Sequence, residues 1–239
     1  MLVLIRKEVT IMAEIKERHS RNVPAVSTED MDRIYSSRVL VVGCGGLGGN
    51  NIENLARMGT GFLRVVDGDV FTESNLNRQL LSFSGNMGKL KAKAAEERIH
   101  AIDPDIEVEA VCEYLTEENA ASLMADVDLV IDALDNVDAR LILEDAAAEA
   151  GLTIIHGAIR GWNLQVMTVP PGSGLLHELY VSPPKKSVSP SLPVTPAACA
   201  ALQSALAIRF LTKKESLPER TLLVGSLSDM SFDTIHFEG

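Results

Sequence analysis

The chain has 239 residues, 46% hydrophobic and 23% charged, with a formal net charge of −11. That length suffices for one large domain with a sizeable core. The acidic balance argues against a nucleic-acid backbone as the main partner, because phosphate contacts need clustered Lys and Arg.

Residues 1–36 are mixed and charged and read as a loose arm followed by a short helix, with Met12 an alternative start. Met1 to Ile5 is too short for a signal-peptide core, and Arg6-Lys7 follow it on the wrong side. No apolar run reads as a membrane span; the most apolar helix, Ala197 to Leu211, is interrupted by Gln203, Ser204 and Arg209. A cytoplasmic protein is expected. Cys44, Cys112 and Cys199 are far apart and none is paired at C-x-x-C spacing, so neither a disulfide framework nor a cysteine zinc site is expected.

In chain order, Arg38 to Val42 predicts a strand. Gly43-Cys44-Gly45-Gly46-Leu47-Gly48 follows, and then a helix with Leu47, Ile52, Leu55 and Ala56 on one face, ended by Gly59 and Gly61. Phe62 to Val66 predicts a second strand, ending at Asp67. The connection from Asp67 to Gly88 is long enough to be functional. Lys89 to Ile102 predicts a helix, Ile106 to Cys112 and Val127 to Ile131 strands, Asn136 to Ala150 a helix, and Leu152 to Ile155 a strand. Leu164 to Val169 predicts another strand, and Ser182 to Pro196 an extended loop. The apolar helix follows, then two short strands near Leu222–Val224 and Phe232–His236. This alternation predicts an α/β, Rossmann-like fold: a mostly parallel sheet with helices on both faces and antiparallel C-terminal strands.

Gly43, Gly45 and Gly48 fit G-x-G-x-x-G between a strand and a helix, where phosphate approaches a helix N-terminus. Asp67, at the end of the next strand, can accept bonds from ribose hydroxyls. These features alone would suit an NAD(P)-dependent oxidoreductase. Three others favour a more highly charged nucleotide. Lys89, Lys91 and Lys93 crowd a helix N-terminus where the dipole disfavours cations, so at least one is expected to meet an anion and the others to be surface lysines. Asn75 and Arg78 lie on the connection leaving the carboxyl end of the second strand. Asp132-Ala133-Leu134-Asp135-Asn136 lies at the same sheet edge, where Asp135 could hold magnesium or cap the next helix.

The set Gly43-x-Gly45-Gly46-x-Gly48, Asp67-x-Asp69, Ser74-Asn75-Leu76-Asn77-Arg78-Gln79, Gly88-x-x-Lys91 and Asp135-Asn136-x-x-x-Arg140 resembles the ThiF/MoeB/HesA family of ubiquitin-activating-like adenylyltransferases. The resemblance implies ATP and magnesium as cofactors. It implies a ubiquitin-like sulfur carrier protein with a C-terminal Gly-Gly as partner, in thiamine, molybdopterin or related synthesis. Within this resemblance Gly46 contacts nucleotide, Asp67 binds ribose, Asn75 and Arg78 hold phosphates, Lys91 neutralises the reacting phosphate, and Asp135 engages magnesium beside Asn136. Arg18-His19-Ser20-Arg21 is similar to an N-terminal R-x-x-R element, which maps Arg21 onto the partner subunit's ATP and implies a homodimer. One domain is expected: an arm over residues 1–36, a nucleotide-binding half over 37–157, and a carrier-binding and dimer half over 158–239. Related alternatives are a tRNA threonylcarbamoyladenosine dehydratase-like member and a non-catalytic nucleotide-binding partner.

The chain departs from the family in places. The C-x-x-C zinc pairs are missing: the first pair's region reads Gly174 to Tyr180, so no zinc site is expected and His177 reads as a surface histidine. Cys199 lies among small apolar residues and reads as a buried packing thiol; Cys44 and Cys112 read as structural, Cys112 within a strand. Trp162 reads as core. Asn50-Asn51 stand in the first helix where smaller or more apolar residues are expected. Lys185-Lys186 read as a solvated loop.

Overall fold

The computed structural model describes residues 14–182, 190–214 and 220–238. Met12 and Lys185-Lys186 lie outside the described residues. One eight-stranded sheet organises the chain, in the order β3-β2-β1-β4-β5-β6-β7-β8. Its strands are β1 (Arg38–Val42), β2 (Phe62–Val66), β3 (Glu107–Val111), β4 (Leu129–Asp132), β5 (Ile154–Arg160), β6 (Asn163–Val169), β7 (Thr221–Ser226) and β8 (Ser231–His236). The first five pair in parallel and the last three antiparallel. The helices are α1 (Thr28–Ser36), α2 (Gly46–Met58), α3 (Lys91–Ile102), α4 (Glu117–Leu123), α5 (Val137–Ala150), α6 (Leu175–Leu179) and α7 (Val194–Leu211), and a 3-10 turn spans Glu17–Asn22.

Two apolar layers sandwich the sheet. Val39 and Val41 of β1 face a layer that takes Ile52 and Leu55 from α2, Ile99 from α3 and Leu206 from α7. Leu40 and Val42 face the other layer, with Leu123 from α4, Leu143 from α5 and Leu175 from α6. This is the period-2 alternation of a strand buried on both faces. The strand order reverses direction between β1 and β4, so their carboxyl ends open a crevice, the usual ligand position of doubly wound sheets.

The elements agree with the sequence expectations apart from several local differences. Helices α4 and α6 are additional; each is too short to show a helical period. Cys112 lies one residue past the end of β3 and is half-buried. Trp162 is not core. Gly161 (φ +60°) and Trp162 form the tight turn joining β5 to β6, and the indole is 48% exposed. The apolar helix starts earlier, at Val194, and by length and composition it could span a membrane. It packs against α2, β5 and β6 instead.

Gln203 and Ser204 of α7 point inward, while Arg209 is exposed. The Gln203 side chain donates to the carbonyls of Asp132 (2.8 Å) and Ile155 (3.1 Å) and accepts from Asn51 Nδ2 (2.9 Å). Ser204 Oγ donates to Asn51 Oδ1 at 2.9 Å and accepts from Asn54 Nδ2 at 3.1 Å. Asn51 is therefore a buried joint between α2 and α7, which explains a polar residue on that face; buried amides are stable only when bonded in this way. A side chain on Gly157 would collide with the Gln203 side-chain amide, its Cβ falling 2.3 Å from Gln203 Cδ. Gly157→Ala is therefore expected to cost about 1–3 kcal/mol by overpacking, seen as a Tm several degrees lower in thermal unfolding. An unchanged Tm would show that α7 does not need this close approach.

Candidate functional site

The glycine turn forms because two of its glycines leave no room for a side chain. Gly43 has φ +95°, and a Cβ there would lie 2.6 Å from the Ala133 carbonyl oxygen; a Cβ on Gly48 would lie 1.7 Å from the Gly43 carbonyl oxygen. Gly45, the residue before α2, offers no side-chain cap. The first-turn N–H groups of α2 thus face the crevice with the positive end of the helix dipole behind them.

Asp67 fixes this turn from the neighbouring strand. Its Oδ2 accepts from the Cys44 N–H at 2.7 Å and its Oδ1 from the Asp69 N–H at 2.8 Å. Burial raises its pKa, against the pull of Lys91. Asp69 accepts from Lys91 Nζ at 2.8 Å and from the Tyr114 hydroxyl. Burial opposes ionisation of Asp69, but those two bonds outweigh it and hold its pKa below the usual carboxylate value. Lys91 is buried, whereas Lys89 and Lys93 pair with Glu97 and Glu96. Lys91 alone of the three is buried, on Asp69, and the other two are surface lysines. Tyr114 was not foreseen. It stands three residues beyond β3 at the same edge, its ring against Gly68, where a Cβ would lie 2.8 Å from it.

The segment after β2 folds on itself. Asn75 Oδ1 accepts from the Thr72 N–H at 3.1 Å, and the Ser74 and Thr72 hydroxyls are 3.1 Å apart. Leu76 is 41% exposed. Arg78 Nη1 donates to the Ser74 carbonyl (3.0 Å) and to Asn77 Oδ1 (2.9 Å); its Nη2 has no acceptor among the described residues. Asn77 Nδ2 donates to the Ser191 carbonyl at 3.1 Å, tying this segment to the chain entering α7. Gln79 is buried beside Gly45, where a Cβ would lie 3.5 Å from its Nε2, and a Cβ on Gly46 would lie 3.4 Å from Pro196. A groove of about 430 Å³ lies between the Leu80–Asn86 stretch and α3, beside these groups but containing none of them.

Asp135 follows β4 at the opposite lip of the crevice. It is exposed and has no side-chain partner among the described residues. It does not cap α5; Asn136 does, accepting from the Ala139 N–H at 2.8 Å. The capping role considered for Asp135 belongs to its neighbour, whose side chain sits at the first non-helical position. The Asp135 carboxylate is left unengaged among the described residues.

The turn carrying Asp135 is held from behind by a buried network that was not foreseen. Asp132 Oδ2 meets His156 Nδ1 at 2.7 Å and Arg140 Nε at 3.3 Å, and Oδ1 accepts from the Leu134 N–H at 3.0 Å. Arg140 also donates to the Leu134 carbonyl and to the Tyr180 hydroxyl. Burial lowers the His156 pKa, against the pull of Asp132. Asp132 stays ionised because Arg140 and His156 outweigh its burial. The available signal was the Asp132–Asp135 spacing, in which only the second carboxylate can reach solvent.

Among the cysteines, burial pushes the Cys199 thiol up to about 12 and raises Cys44 well above the ordinary value. Neither is a nucleophile at neutral pH in this arrangement. His177 lies on α6, half-exposed, with Nε2 2.9 Å from Asp145. Arg21 lies on the 3-10 turn, exposed and without a partner among the described residues.

The ThiF family model matches residues 18–238. The chain belongs to the ThiF family. It is 33% identical to the SAMP-activating enzyme E1 of Haloferax volcanii, over 92% of this chain and 85% of that protein. It is 34% identical to the sulfur carrier protein adenylyltransferase of Thermus thermophilus, over 83% of this chain and 78% of that one. Against the probable adenylyltransferase/sulfurtransferase MoeZ of Mycobacterium tuberculosis it is 33% identical over 97% of this chain, but it spans only 62% of MoeZ. The solved structure of PaaA superposes with a TM-score of 0.80 at 22% identity, over 96% of this chain and 77% of that one, a likeness of fold.

Because His156 is held neutral by burial, the unfolded chain takes up protons first as pH falls through 6.5, the ordinary histidine value. Stability is therefore expected to fall with acidification from pH 7 to 5. His156→Gln should make the fall in Tm shallower, by thermal unfolding across that range; an unchanged slope would mean His156 does not titrate on unfolding.

Proposed function

We propose that this ThiF-family protein is an ATP-dependent adenylyltransferase that activates the C-terminal glycine of a ubiquitin-like sulfur carrier. One observation carries the reading. An uncapped helix N-terminus, Arg78, Lys91 and a free carboxylate, Asp135, converge on one sheet edge. That combination suits a triphosphate with a divalent cation better than a dinucleotide. The names of the Haloferax and Thermus relatives support the same reaction class.

In this reading the first-turn N–H groups of α2 and Gly46 receive the phosphates. Asp67 keeps an unused lone pair on each oxygen for ribose hydroxyls. Arg78 Nη2 and Lys91 Nζ supply positive charge to the phosphates, with Asn75 and Gln79 shaping the segment behind them. The carrier's carboxylate is already ionised at neutral pH, so no general base is needed. It attacks the α-phosphorus in line, a new C–O–P bond forms, the bond to the bridging oxygen breaks, and pyrophosphate leaves with that electron pair. Catalysis is positioning and charge neutralisation. An exposed, unpaired carboxylate fits a hard cation; magnesium on Asp135 would supply further neutralisation of phosphate oxygens.

Arg21 completes the site from a second copy. His19 packs at Gly59, the far end of α2 from the glycine turn. Since α2 has 13 residues, that distance is about 20 Å, beyond the reach of an arginine side chain. Arg21 therefore cannot serve its own pocket.

Carrier-dependent ATP–pyrophosphate exchange should be reduced at least a hundredfold, about 2.7 kcal/mol, by Lys91→Ala and by Asp135→Ala; near-normal exchange in both would refute the assignment. Arg21→Ala and Asp135→Ala homodimers should both be impaired. Their purified heterodimer should regain roughly half of wild-type exchange, because one of two sites is then complete. No recovery would refute action across the dimer.

A further inference from the structure

The 3-10 turn bearing Arg21 is fastened to the body at the far end of the helix that begins with Lys91, where Asp103 is its most buried anchor and Asp105 takes Lys16 at 3.0 Å. Asp103 is the residue on which α3 ends, and its side chain is 1% exposed. It forms an ion pair with Arg18, and Lys16 Nζ stands 3.6 Å away; His19 Nε2 lies 3.7 Å off, its ring kept toward the neutral form by burial. His19 is itself buried, with Nδ1 3.0 Å from the Tyr35 hydroxyl. A Cβ on Gly59 would fall 2.6 Å from the His19 ring and 2.7 Å from the Tyr35 ring. The base of the turn is thus locked between α1, α2 and α3. Three residues complete one turn of a 3-10 helix and rise about 6 Å, so Arg21 stands one turn farther along than Arg18, and it is exposed. One arginine of the pair is bound to the body and the other is presented outward.

We propose that Asp103 is a positioning residue for the partner's site: by gripping Arg18 and the base of the turn it presents Arg21 to a second copy of the chain. This rests on the reading that Arg21 acts across the dimer. Helix α3 then joins two sites, with Lys91 at its start serving the chain's own pocket and Asp103 at its end serving the partner's.

The test is carrier-dependent ATP–pyrophosphate exchange in heterodimers purified through two different tags. The Asp103→Asn homodimer should be at least tenfold below wild type. Paired with Asp135→Ala, it should recover to roughly half of wild type, because the Asp135→Ala chain delivers a correctly held Arg21. Paired with Arg21→Ala, it should show no recovery and stay at or below the homodimer level, because both defects then lie in delivery. A residue needed only for folding would be rescued by neither partner.

The proposal is overturned by near-wild-type exchange in the Asp103→Asn homodimer, by recovery with Arg21→Ala, or by failure to recover with Asp135→Ala when the Arg21→Ala and Asp135→Ala pair does recover. If that control pair fails, the underlying reading of Arg21 falls, and this proposal with it. Should Asp103→Asn not fold, Arg18→Met, which alters a 41% exposed side chain, must give the same pattern; full activity of its homodimer overturns the proposal.

Discussion

The site depends on one carboxylate accepting two backbone hydrogen bonds. Asp67 holds the Cys44 N–H with one oxygen and the Asp69 N–H with the other. The first bond fixes the glycine turn against β2 and so aims the N-terminus of α2. The second turns the chain after β2 so that Asp69 meets Lys91 and Tyr114. Three strand ends are thereby placed by one side chain. Those amides and Lys91 nearby offset only part of the cost of burying it, and its pKa stays raised.

The opposite lip of the crevice is built by a different device. Gln203 and Asn51 join α7 to α2 and to the Asp132 carbonyl, while Asp132, His156, Arg140 and Tyr180 hold the turn just before Asp135. Asp67, Asp69 and Asp132 each have protein partners, whereas the Asp135 carboxylate has none among the described residues.

Much of the fold was legible because its signals are local and steric. The strand–glycine–helix pattern at Val39 to Ala56 and the αL glycines ending α2 and α5 need no tertiary information. Trp162 was misread because an isolated aromatic carries no period, and its exposure follows from a two-residue turn set by strand register. Asn136, not Asp135, caps α5, a one-residue difference that sequence cannot resolve because both residue types cap equally well. The grip of Asp103 on Arg18 joins residues 85 apart in the chain, and no local pattern announces such a pair. The glycine turn by itself would also have suited NAD; the charges on the other strand ends make the difference.

The central claim is that these charges define an ATP site. Calorimetric titration of the purified protein with ATP and with NAD, both in magnesium, tests it directly. The account predicts that ATP binds and that its affinity drops when magnesium is chelated, with NAD binding weakly or not at all. Tighter binding of NAD than of ATP would contradict it.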